Sequence, residues 1–216
     1  MSTLSQFFSM FSPSESGAFF FWVLGIFFVF AIAIFLERLY VVIVKSNINS
    51  DKFMGTIYAL VQKGEIDKAL ALAKGLQDKA LGRIVYQALL EAKDKEIIDY
   101  RSVQNAVDEA SLEIIPKLNK RTPYLSTIAN VATLWGLMGT LFGLIQSFEA
   151  VKNAGANASQ ALAGGIAVAM LTTLGGLFVA VPSMLMYSWL NNTTNNMISE
   201  IDEHSVKLIN AITGSK

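Results

Sequence analysis

The chain has 216 residues, 53% of them hydrophobic and only 16% charged, a balance too apolar for an ordinary soluble domain and usual for membrane proteins. Seventeen basic residues match seventeen acidic ones, so the net charge is zero and nothing in it points to nucleic acid. Cysteine is absent and the one histidine, His204, sits in a polar tail, which excludes disulfides, thiolate or histidine metal clusters, cysteine nucleophiles and a Ser-His-Asp arrangement.

Residues 1–16 read as an N-terminal extracytoplasmic segment. Charge then vanishes over residues 16–36, a phenylalanine-dense run that stops at Glu37-Arg38. Crossing a bilayer takes roughly 20 apolar residues, so a first transmembrane helix is predicted over 17–44. A secretory signal is the competing reading of this run. Its length, the lack of Lys or Arg before it and the lack of an A-x-A site after it argue against that.

Residues 45–122 carry 13 basic and 11 acidic residues and form the predicted cytoplasmic domain. Apolar positions Phe53, Ile57, Leu60 and Val61, then Leu70, Leu72 and Leu76, recur at the spacing of amphipathic helices. "KGEIDKALALAKG" reads as a helix hairpin in which Gly64 stops one helix and Gly75 the next. "DYRSVQNAVDEASLEIIPKLNKRTPYL" is expected to run as one helix into the second span, with Pro116 and Pro123 bending it without a break. No phosphate loop or catalytic carboxylate pair stands out in this domain, which reads as a helical collar and not as an enzyme.

A second transmembrane helix is predicted over 123–149, an extracytoplasmic loop over 150–160, a third helix over 161–190 and a cytoplasmic C-terminal helix over 191–216. Of 17 basic residues, only Lys152 falls in a segment assigned to the outside, whereas Arg38, Lys45, Lys117, Lys120, Arg121 and Lys207 flank spans on the other side. The positive-inside rule then puts the N-terminus out and the C-terminus in. Tyr187 and Trp189 mark an interfacial end of the third span. The fold class is all-α membrane protein with three spans and a helical cytoplasmic insert.

Within the second span Ser126, Thr133, Thr140 and Ser147 recur at intervals of seven, beside Gly136, Gly139 and Gly143. Seven residues fall only about 20° short of two helical turns, so these hydroxyls follow one slowly drifting line. In the third span Gly165, Ala169, Thr172, Gly176 and Val179 follow one helical row, and Ala169, Thr173, Gly176, Ala180 and Ser183 another. Thr172 and Thr173 therefore face different neighbours: one can close a helix–helix contact while the other faces a lumen. Small residues and hydroxyls are also common glue between membrane helices, and a threonine can bond back to its own helix. Spacing alone leaves packing and a polar path both open.

"GLMGTLFGLIQSF" (Gly136 to Phe148) together with "GIAVAMLTTLGGLFVAVPSMLMYSWL" (Gly165 to Leu190) resembles the ExbB/TolQ/MotA family of ion-driven motor stators, and "ERLYVV" (Glu37 to Val42) is similar to its ExbB/TolQ branch. The resemblance implies a homopentamer in the bacterial inner membrane around a dimer of an ExbD/TolR/MotB-like single-span partner that brings a membrane aspartate. It also places Thr140 and Thr173 on the partner-facing side. Two departures stand out. Val168 occupies the place of the glutamate in the pattern G-I-A-E-A-L, and Thr133 that of a proline often found before the G-L-x-G-T segment. The adjacent threonines of "AVAMLTTLGG" are closer to MotA-type sodium stators.

These readings assign an ion path to Thr133, Thr140, Thr172 and Thr173, with Thr172 and Thr173 as oxygen ligands for Na⁺, a hard cation. No resident cofactor is expected; the cargo is H⁺ or Na⁺, tilted toward Na⁺ by the missing glutamate and the second threonine. A mid-membrane carboxylate costs roughly 3 kcal/mol or more, and these spans supply none, so the acid must come from the partner. A non-conducting membrane scaffold is the alternative. An intramembrane enzyme is disfavoured, because the spans hold no nucleophile–base pair.

Overall fold

A computed structural model describes residues 17–46, 48–93, 99–154 and 158–214. The expected N-terminal segment 1–16 and positions 155–157 of the expected outer loop lie outside the described residues. The regular structure of the described residues is helical, with no strand among them. The elements are α1 (Ala18–Leu39), continued by a π-helical stretch Tyr40–Ser46, then α2 (Ser50–Gln62), α3 (Ile66–Lys74), α4 (Ala80–Ala92), α5 (Tyr100–Asn119), α6 (Thr122–Ala154) and α7 (Ala158–Thr213). Among the described residues, three helical stretches are long and apolar enough to cross a membrane, within Ala18–Ile43, Tyr100–Lys152 and Ala158–Thr213. The chain divides into two compact units, one of residues up to Leu36 with Arg121–Ser188, the other of Glu37–Lys120 with Trp189–Lys216.

In the first unit, α1 packs through its aromatic rings. Trp135 of α6 lies 5.6 Å from Phe20 and 6.4 Å from Phe27, centroid to centroid, and Phe28 lies 6.0 Å from Phe178 of α7. Offset and edge-on ring pairs of this kind add to burial. Gly175 leaves room for Phe21: a Cβ there would sit 3.2 Å from the ring edge. Leu24, Ala129, Ala132, Val179 and Ala180 complete this small core. Phe19, Val29, Phe30, Leu134, Leu141, Met170 and Leu185 remain largely exposed, the outward apolar face expected of helices solvated by lipid or by further helices.

The second unit has a conventional core. Phe53, Met54, Ile57 and Val61 of α2 meet Ile84, Val85, Ala88 and Leu89 of α4, Val103, Val107, Ile114 and Leu118 of α5, and Ile201, Leu208, Ile209 and Ile212 from the end of α7. The helices start where the sequence offers caps. Asn49 Oδ1 accepts from Lys52 N at 3.2 Å, and Asp99 Oδ1 from Arg101 N at 3.2 Å. The hairpin glycines act as predicted, with Gly64 at φ 75° after α2 and Gly75 closing α3. In α3, however, Ala69 and Ala73 are the buried residues and Leu72 points outward at 39% exposure. Small side chains allow this short helix to lie close against its neighbours, which leucine spacing does not anticipate.

The expectation of one unbroken helix from the insert into the second span is corrected. Pro116 is carried inside α5, but the helix ends at Asn119; Lys120 turns to ψ 133° and Arg121 adopts φ 67° before α6 starts at Thr122. In a continuous helix Pro123 would have no N–H to donate to the Asn119 carbonyl, and its ring would crowd that carbonyl. The third span and the C-terminal segment, by contrast, form one helix, α7, that carries Pro182 in its interior.

Candidate functional site

Helices α6 and α7 meet along a seam of small residues. A Cβ on Gly136 would lie 3.0 Å from Gly176 Cα, one on Gly139 2.7 Å from Thr172 Cβ, and one on Gly143 3.1 Å from Ala169 Cβ; one on Gly165 would overlap the Ser147 hydroxyl. Rising numbers on α6 meet falling numbers on α7, so the pair is antiparallel. Between membrane helices the driving force is dispersion and hydrogen bonding more than exclusion of water, so close approach of bare backbone is what such a seam contributes.

The seam separates the two adjacent threonines. Thr172 is 1% exposed, presses on Gly139 and donates its hydroxyl to the Ala169 carbonyl at 2.7 Å. Thr173, about 100° further round the helix, lies on a groove of about 390 Å³ with Thr140, Leu144, Ile166, Ala169 and Met170. Thr140 is half-buried, lines the same groove and donates its hydroxyl to the Leu137 carbonyl at 2.6 Å. Thr173 makes no side-chain hydrogen bond among the described residues. Within this chain Thr172 thus lies in the seam and Thr173 on the groove.

From Thr133 to Ser147 the row of hydroxyls turns inward, while Ser126 is half-buried. Thr133 is exposed and bonds back to Ala129 at 3.0 Å; Thr140 borders the groove; Ser147, only 2% exposed, has rotated into the seam and donates to Gly143 at 2.6 Å. About 20° per heptad suffices to carry the row from the outer surface into the contact. Val168, where the resemblance leads one to look for glutamate, lines a second depression with Gln146, Ser147, Gln160 and Gly165. No ionisable side chain lines either feature, and no cluster of acid, histidine or cysteine ligands occurs among the described residues.

Residues 76–203, which contain this seam and groove, match the sequence profile of the MotA/TolQ/ExbB proton channel family. The chain belongs to that family. Tol-Pal system protein TolQ of Haemophilus influenzae is 35% identical over 95 residues, 44% of this chain and 42% of that protein. A biopolymer transport protein ExbB homolog of Methanothermobacter thermautotrophicus is 29% identical over 77% of this chain and 57% of its own length. Biopolymer transport protein ExbB of Aquifex aeolicus is 34% identical over 41% of this chain and 58% of its own. The chain thus spans about half the length of the curated relatives it matches. With three apolar helices and this family membership, it is a multi-pass membrane protein of the MotA/TolQ/ExbB type.

Proposed function

We propose that this MotA/TolQ/ExbB-type chain is the channel-forming subunit of a motor driven by an ion gradient across the bacterial inner membrane. Five copies surround a dimer of an ExbD/TolR/MotB-like single-span partner, with the N-terminus outside and the C-terminus in the cytoplasm. The observation that carries this reading is the groove bearing Thr140 and Thr173. It presents two hydroxyls on an otherwise apolar face and has no acid of its own. A carboxylate on a partner helix seated there could accept from the Thr173 hydroxyl and, once protonated, donate to the Thr140 oxygen, in a medium where a bare charge costs roughly 3 kcal/mol or more. Proton loading would neutralise that acid and release would restore its charge. This alternation can move a two-chain axle inside a five-membered ring.

Protons are favoured as cargo over the sodium that the paired threonines suggested. What supports this is that Thr173 lies on the groove while Thr172 packs in the seam and donates to the Ala169 carbonyl, which leaves one hydroxyl of the pair available to a partner seated there. A non-conducting scaffold accounts for the seam and leaves the Thr173 hydroxyl without a task.

The test is reconstitution of the chain with a single-span partner encoded beside it, in liposomes holding a pH-sensitive dye. Expected are a five-to-two assembly by mass and proton uptake that does not depend on sodium and is lost in Thr173→Val. Uptake that persists in both Thr140→Val and Thr173→Val would overturn the assignment. A monomer or dimer in mild detergent would overturn the ring.

A further inference from the structure

We infer that the unit containing Glu37–Lys120 holds a phosphate-binding pocket at the C-terminal end of the first apolar span, filled by the headgroup of an anionic lipid. The cavity measures about 370 Å³, and Arg38, Lys79, Arg83 and Lys117 bring four cationic groups to its wall. Arg38 is 5% exposed. Its Nη2 donates to Glu37 at 3.0 Å and its Nη1 reaches the Lys117 carbonyl only at 3.5 Å, while Nε has no hydrogen-bond partner among the described residues. A buried guanidinium with an open donor is costly unless something accepts from it.

The N-terminus of α4 supplies the second, independent set of donors. Ala80 and Lys79 line the same cavity, and Lys79, at the cap position, makes no side-chain capping hydrogen bond. The first-turn N–H groups of a thirteen-residue helix, with the positive end of its dipole, form a ready receptor for a phosphate. Gly82 keeps this end in place: a Cβ there would overlap the Leu76 carbonyl oxygen, so only a bare backbone allows the preceding loop to fold onto the first turn.

Acidic groups temper the charge without cancelling it. Asp78 also lines the cavity, Glu113 bridges Arg83 at 2.8 Å and Lys117 at 2.6 Å, and Glu37 stands beside Arg38. These carboxylates offset part of the positive charge, and recognition rests on convergent donors more than on net charge. Arg38 and Val41 belong to the candidate span Ala18–Ile43, and Val41, Ile114 and Leu118 give the cavity an apolar wall. A phosphate tethered to acyl chains fits that combination better than a free ion, and basic pockets beside membrane helices are known to take anionic headgroups. The inference does not rest on the channel reading.

The experiment places the full chain in nanodiscs of phosphatidylcholine with a minor share of phosphatidylglycerol and counts retained lipid by native mass spectrometry. Wild type is expected to retain phosphatidylglycerol selectively, and Arg38→Gln and Gln77→Glu to lower that retention about tenfold, a shift of about 1.4 kcal/mol, with unchanged helical circular dichroism. Gln77 lines the cavity, so its variant adds a carboxylate without removing an ionic contact and carries the test if Arg38→Gln fails to fold. In nanodiscs of phosphatidylcholine alone, inorganic phosphate that binds and is lost in the same variants would uphold the pocket and assign it to a free phosphate. Lipid retention without preference and no phosphate binding, or retention unchanged in the variants, would overturn the proposal.

Discussion

Gly139→Ala is the sharpest probe of the seam. The added Cβ would fall 2.7 Å from Thr172 Cβ and 2.8 Å from its Oγ1. Both atoms are close to the backbone and β-branched, so neither swings aside as the tip of a long side chain would. Overpacking of this kind costs about 1–3 kcal/mol, a factor of roughly five to more than a hundred in the folding equilibrium. Thr172→Ala in the same chain removes the Oγ1 clash but keeps the Cβ, so it gives partial relief, whereas Thr172→Gly removes both at a cost of about 1 kcal/mol of helix propensity. A double-mutant cycle should therefore show coupling of about 1–2 kcal/mol between Gly139→Ala and Thr172→Gly, and a smaller coupling between Gly139→Ala and Thr172→Ala. Gly164→Ala is the control, since a Cβ there meets nothing within 4 Å. The measurement is unfolding of the purified chain in mixed micelles with rising SDS. If Gly139→Ala and Gly164→Ala behave alike, the close approach of α6 and α7 is wrong.

Thr172→Val keeps the volume and removes the bond to Ala169, so it should lower stability by about 0.5–1.5 kcal/mol and leave ion flux in reconstituted complexes largely intact. A flux loss as large as that of Thr173→Val would return Thr172 to the path. Arg121 holds φ 67° between α5 and α6; both Arg121→Asn and Arg121→Val lose the guanidinium, but the valine variant should be less stable than the asparagine one by about 1–2 kcal/mol, and equal SDS midpoints for the two would refute that strain. Burial, with the Glu203 charge second, pushes the Tyr58 hydroxyl up to about 12 from 10.0. The folded state then holds its proton where the unfolded chain has lost it. Stability is intact below pH 10 and should fall as pH rises toward 12; Tyr58→Phe should flatten that decline, read as thermal midpoints across the interval.

Much of this protein is written in one dimension. The uncharged runs, the positive clusters flanking them and the glycines at 64 and 75 depend on transfer energy and local backbone freedom, which act on each segment separately. The row Thr133, Thr140, Ser147 and the pair Thr172–Thr173 were legible as helical positions for the same reason, since periodicity is a property of a single helix. Their environments were not legible. Which of two adjacent threonines enters the seam depends on where Gly139 lies across from it, a contact between residues 33 positions apart in sequence. The helix break at Lys120–Arg121 likewise needed the Asn119 carbonyl and the Pro123 ring to be weighed against the continuation beyond them. The cavity around Arg38 lay outside sequence reasoning altogether, because its donors come from α1, the start of α4 and the end of α5. Burial of a charged group and the opening of a helix end toward it are decided by which elements meet, and pattern along one chain carries no record of that meeting.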